Sequence, residues 1–162
     1  MKLNFDNTQF WDLNYYKHPA LTNDMIIFAE KLLDVKLPST LIELLRIQNG
    51  GYTKGFGFPM SHKTTWSNNH VPLESLSGIV TDTLIKSSQN LLDTPYMTKE
   101  WGIPEKQVLL TGDGHWWITL DYRNDQVHGI RWIDVDSNED IHVAESLEFF
   151  INGLRPLSEF SI

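Results

Sequence analysis

The chain has 162 residues, of which 41% are apolar and 12% aromatic, and it carries a formal net charge of −8. That length and apolar content suit one folded domain over residues 1–162 and exclude global disorder. The lack of any cysteine excludes a disulfide framework, a cysteine-based zinc site and a thiol nucleophile, and it fits a reducing cytoplasm.

Met1-Lys2-Leu3-Asn4-Phe5-Asp6 lacks a basic stretch followed by an apolar run, so no secretory signal is expected. No apolar stretch is long enough to span a membrane. Residues 1–20 hold Phe10, Trp11, Tyr15 and Tyr16 without a clear period, and so aromatic a segment is expected to pack on the domain. Between Thr22 and Asp34, Met25, Phe28, Ala29, Leu32 and Leu33 recur at one-turn spacing and predict a helix, with Thr22 or Asn23 as its cap. Leu37-Pro38-Ser39 starts a second helix that Asn49-Gly50-Gly51 closes. Tyr52 to Met60 alternates glycine with aromatics and reads as a strand. Residues 61–69, with Trp66, read as a polar loop, and His70 to Leu73 as a short edge strand. Ser87 to Lys99 is weakly helical, with an interruption expected at Pro95, and Trp101-Gly102-Ile103-Pro104 reads as a turn.

The last third alternates strands and turns. Val108 to Leu110 is followed by a turn at Thr111-Gly112-Asp113-Gly114. Strands at 115–122 and 127–135 enclose a turn at 123–126, and a short strand at 141–143 leads into a helix at 144–154. Helices first, then a meander of strands, then a helix predict an α+β domain built on an antiparallel sheet. This part is also the acidic one. Residues 1–112 carry 11 acidic and 10 basic side chains, and residues 113–162 carry 10 and 3. Such a surface repels phosphate backbones, so no direct nucleic-acid contact is expected, and it would steer a basic protein inward.

One constellation invites a catalytic reading. A four-residue turn would set Tyr122 opposite Val127, and counting back then places Asp121 against His128, Trp117 against Trp132 and His115 against Asp134. Two His–Asp pairs around a tryptophan pair resemble a hydrolase-type site, because a carboxylate fixes a histidine tautomer and raises its basicity. Cross-strand ion pairing and aromatic packing are the competing reading. Gly112-Asp113-Gly114 leads into a strand and carries a carboxylate, which does not suit a phosphate loop. The acids Asp134, Asp136, Glu139 and Asp140 do not follow the spacing of a calcium loop. No metal or cofactor is expected.

Three stretches together resemble one family: Leu37-Pro38-Ser39 through Asn49-Gly50-Gly51; Thr111 to Gly114 followed by Trp117 to Arg123; and Val143 to Leu154. In this order they are similar to the SUKH superfamily, in the group similar to the fungal regulator of cell-wall assembly and killer-toxin resistance. The resemblance spans about residues 20–155. It implies a single α+β domain with a twisted, mostly antiparallel sheet and helices packed against it. It also implies a non-catalytic protein-binding role. Bacterial members are commonly immunity proteins that neutralise toxins, many of them nucleases, and fungal members act as signalling scaffolds. Leu37, Pro38, Gly50, Gly112, Gly114 and Asp121 then read as fold determinants. A basic toxin domain becomes the expected partner, met by Asp134, Asp136, Glu139 and Asp140, with Trp66, Trp101 and Trp117 as anchors unless they pack in the core.

Overall fold

A computed structural model describes residues 7–124 and 128–160. A short helix α1 (Asn7–Phe10) precedes an irregular segment, and Trp11 ties this segment down by donating its indole N–H to the Leu44 carbonyl at 3.1 Å. Helix α2 (Asn23–Leu33) is capped by Thr22, whose hydroxyl accepts from the Met25 amide. Helix α3 (Ser39–Ile47) starts after Pro38 and buries Leu41, Leu44 and Leu45.

Gly50 does more than end α3. Its φ of +86° lies in the left-handed region, and a Cβ there would sit 2.4 Å from the Gly78 nitrogen. Only glycine permits that approach. The Asn49 side chain completes the joint by donating to the carbonyls of Pro19 and Ile79, each at 2.8 Å, and accepting from the Ile79 amide. The helix stop is therefore also a clamp on two loops.

Strands β1 (Gly51–Pro59) and β2 (His70–Leu76) form an antiparallel pair, later joined by the two-residue β7 (Arg155–Pro156) in the order β2-β1-β7. A 3₁₀ turn at Leu91–Asp93 runs into helix α4 (Thr94–Trp101). Strands β3 (Gln107–Gly112), β4 (Trp116–Asp121), β5 (Gly129–Asp134) and β6 (Glu139–Ala144) form an antiparallel meander in sequence order. Helix α5 (Leu147–Asn152), capped by the Ser146 hydroxyl, closes the domain. The two sheets meet where the Ser77 amide donates to the Leu110 carbonyl at 2.9 Å, with the Ser75 and Thr111 hydroxyls also 2.9 Å apart. The expected α+β class holds, with the strands divided between a three-stranded and a four-stranded antiparallel sheet. The main core lies between these sheets and helices α2, α3 and α5, around Leu41, Leu45, Trp132 and Phe150.

Two expectations need correction. Pro95 does not interrupt a helix: it stands in the first turn of α4, where a missing amide costs no hydrogen bond. The β4–β5 register is displaced by one residue, with Asp121 opposite Gly129, Leu120 opposite Ile130, Ile118 opposite Trp132 and Trp116 opposite Asp134. The flanking residues explain the shift. Tyr122 sends its ring into the core and its hydroxyl to the Lys36 carbonyl at 2.6 Å, while His128 accepts from the Leu147 amide at 3.3 Å. Both are drawn out of the β4–β5 ladder by partners elsewhere in the chain. The expected pairing of Tyr122 with Val127 lies outside the described residues.

Candidate protein-binding site

The one-residue shift takes apart the catalytic constellation, because a slip of one residue exchanges the faces of a strand. His115 meets Asp136 at 3.5 Å on the open surface instead of Asp134. His128 rests its ring near Tyr122, 6.0 Å between centroids, and burial lowers its pKa. Asp121 accepts from the Gln107 amide at 2.7 Å and the Arg123 guanidinium at 2.9 Å. Trp117 does not pair with Trp132. It lies 3% exposed beneath α4 with Ile103 and Leu109, while Trp116 stacks on Trp132 at 4.9 Å. The two expected His–Asp pairs therefore do not form.

The structure brings Asp134 and Glu139 together at one corner, where Thr65, the residue before Trp66, meets both. The Thr65 hydroxyl sits between two carboxylates, 2.7 Å from Asp134 Oδ2 and 3.1 Å from Glu139 Oε1, and the Thr65 amide donates to the same Glu139 oxygen at 3.0 Å. The Trp132 indole N–H adds a further bond to Glu139 at 2.9 Å, and the Ser137 amide donates to Asp134 at 3.1 Å. Asp134 is thereby buried, which removes it from the expected contact surface. Its carboxylate is held by hydrogen bonds that offset the cost of taking a charge out of water.

These bonds fix the loop that carries Trp66. The Thr64 hydroxyl accepts from the amides of Trp66 and Ser67 and closes a tight turn. Trp66 stands edge-on to His70 at 4.9 Å, and His70 stacks on Phe160 at 4.3 Å. Burial lowers the pKa of His70, whose Nδ1 lies 2.7 Å from the Asn69 side-chain oxygen. Trp66 remains 38% exposed, and Asp136, in the turn after β5, is largely exposed.

Asp140 has a different fate. The guanidinium groups of Arg123 and Arg131 each approach it at 2.7 Å, and their hydrogen bonds hold its carboxyl below the usual carboxylate range. Burial raises Asp121, but the combined hydrogen bonds from Arg123 and Gln107 outweigh it and leave that carboxyl low as well. Both acids are thus neutralised within a network on the outer face of the four-stranded sheet. Trp101 stands 46% exposed at the end of α4, with its ring 6.3 Å from that of Trp117. Leu37, Pro38 and Gly50 sit at the α2–α3 joint and its clamp. Gly112 lies so close to Trp117 that a Cβ would stand 2.4 Å from the indole, and Gly114 has a φ of +99° in the turn before β4.

Sequence reasoning missed two exposed apolar surfaces. Tyr15, Tyr16 and Tyr52 cluster with ring centroids between 5.2 and 6.0 Å apart, and the Tyr16–Tyr52 hydroxyl contact raises the Tyr52 pKa. The outer side of α2 exposes Ile27, Phe28 and Leu32 beside a groove of about 1690 Å³ between α2, α3 and α4. The aromatic content of residues 1–20 was the one available signal for the tyrosine cluster. Among the described residues, no three His, Cys, Asp or Glu side chains are grouped to hold a metal ion, and no helix is long and apolar enough to cross a membrane.

A helix pair clamped at Asn49-Gly50, an antiparallel meander and a closing helix make up an α+β domain, and comparison with family models places the chain in the SUKH superfamily. The match makes this specific: the chain belongs to the SUKH_6 group, described as SMI1-KNR4 cell-wall, over residues 23–151. No curated protein matches the chain. Membership supports a protein-interaction or immunity-type role at the level of the family, which is generally non-catalytic.

Proposed function

We propose that this chain is a cytoplasmic immunity protein, a non-catalytic domain that binds and neutralises a basic toxin domain of the nuclease class. The observation that carries the reading is the corner geometry. Thr65 locks the Trp66 loop onto Asp134 and Glu139, so an exposed, preorganised indole stands on the acidic hairpin side of the domain. Aromatic side chains held rigid before binding lose little entropy on contact and serve as energetic anchors. Asp136 on the rim would accelerate approach of a cationic surface. The excess of seven acidic charges in residues 113–162, from 10 acidic against 3 basic side chains, supports the same direction of steering.

Co-expression with a candidate cognate toxin, the toxic C-terminal domain of a large chain encoded next to this one, tests the reading. Cells are expected to survive with the wild type and to die with the double variant Trp66→Ala, Asp136→Lys, expressed as a folded protein. Death in both cases contradicts the proposal. The cell-wall description of the family supports a second reading, a scaffold for signalling proteins. Capture of cell-wall regulators, with no effect on toxin survival, would favour it.

A further inference from the structure

We infer that β6 is a docking edge, along which an extended basic segment of the partner protein adds as a further antiparallel strand. The inference rests on the reading of the chain as a binder of a basic protein and specifies how the partner is held.

The two ends of the sheet assembly differ. At one end stands β7, two residues long and ending in Pro156, too short to template another strand. The β3 side of the four-stranded sheet is continued by β2 through the Ser77–Leu110 hydrogen bond. At the other end, β6 runs for six residues, Glu139-Asp140-Ile141-His142-Val143-Ala144, with no proline, glycine or lysine. It pairs with β5 on one side. Among the described residues, no backbone hydrogen bond links it to any other segment, although the Arg131 guanidinium reaches the Asp140 carbonyl at 2.8 Å. Asp140 and His142 are exposed along it. An edge strand of this length presents a row of backbone donors and acceptors, and proteins commonly blunt such edges with lysine or proline. β6 has neither, and although its ladder with β5 carries one irregularity between Ile130 and Arg131, it pairs from Glu139 to Ala144 and leaves its other edge open.

Charge selects the occupant. Exposed carboxylates flank the strand, Asp136 in the turn before it and Glu145 in the bend after it. Two copies meeting edge to edge would bring two acidic thirds together, whereas lysine or arginine side chains on an incoming strand would meet both flanks. The Trp66 loop borders the first residue of β6 through the Thr65–Glu139 bonds. One partner can therefore reach the indole and the strand edge together.

The test uses the full chain and a short capped peptide of alternating lysine and valine, with its glutamate–valine counterpart as control. Amide hydrogen exchange is followed across the chain. The basic peptide is expected to slow exchange in residues 139–144 by roughly tenfold or more, while the acidic peptide leaves it unchanged. His142→Lys, which places a charge on the edge without disturbing the core, is expected to abolish the protection while leaving the melting temperature unchanged. Protection elsewhere, protection by both peptides, or no protection would overturn the inference. A dimeric wild type that becomes monomeric as His142→Lys would also overturn it, by showing the occupant to be a second copy. Survival against the toxin is read separately: survival without peptide protection at β6 removes strand docking alone, and peptide protection without survival removes the immunity reading alone.

Discussion

Trp117 and Trp66 mark two regions built on opposite principles. Trp117 lies under α4 at 3% exposure, packed against Ile103 and Leu109, and its surroundings are apolar. Trp66 lies on a polar loop at 38% exposure, where its amide donates to the Thr64 hydroxyl and the neighbouring Thr65 donates to Asp134 and Glu139. The first region spends its aromatic ring on stability. The second spends buried polar bonds to hold an aromatic ring in water. A ring held in this way is available to a partner, and the acids that hold it are not.

The largest expected effect lies in the first region. Trp117→Ala is expected to destabilise the domain by about 3–5 kcal/mol, through lost burial and the cavity left behind. Trp66→Ala is expected to cost under about 1 kcal/mol. Urea denaturation of both variants measures the contrast, and equal losses would erase it.

Thr65→Val comes next. It leaves the Asp134 and Glu139 carboxylates without a shared donor, at an expected cost of about 1–3 kcal/mol. The same variant should loosen the loop, raising amide exchange around Trp66 in hydrogen-exchange measurements.

Stability should fall with pH in two stages. Burial lowers the folded pKa of His70 and His128. Their neutral forms therefore contribute stability that is full above the unfolded value of about 6.5 and is lost as pH falls through the lowered folded values. Asp140 and Asp121 are also lower when folded. Their contribution is full above about 3.9 and is lost only as pH drops further. Melting temperatures across this range check both stages, and a rise in stability on acidification would contradict the assignment.

The smallest effect on stability belongs to Asp136→Lys, expected within about 0.5 kcal/mol because the side chain is exposed. Its weight should appear in association rate instead, as slower binding with a flatter salt dependence in stopped-flow measurements.

Helices α2, α3 and α5 were legible because their signals are local, whereas α1 was not foreseen and Pro95 misled the reading of α4. Leucine spacing, the Leu37-Pro38 entry and the Asn49-Gly50 exit all lie within a few turns of one another. Local signals also located the meander, yet they could not set its register. That depends on where Tyr122 and His128 find partners, and those are Lys36 and Leu147. The same limit applies to the acidic hairpin. As a sequence run, Asp134, Asp136, Glu139 and Asp140 look equivalent. Thr65, 69 positions before Asp134, buries one of them, and Arg123 and Arg131 neutralise another. Composition announces acidity but does not reveal which charges are already engaged. Trp66 and Trp101 were legible only as aromatics outside a periodic pattern, and their exposure follows from loop and helix-end placement that no spacing records.

The most direct test of the central claim is the affinity of the toxic domain for the wild type, compared with folded Trp66→Ala and Trp101→Ala variants by calorimetry. A loss of about 2 kcal/mol or more for Trp66→Ala, roughly thirtyfold in Kd, with little change for Trp101→Ala, is the predicted result. Unchanged affinity for Trp66→Ala would contradict the account and move the binding surface away from the corner.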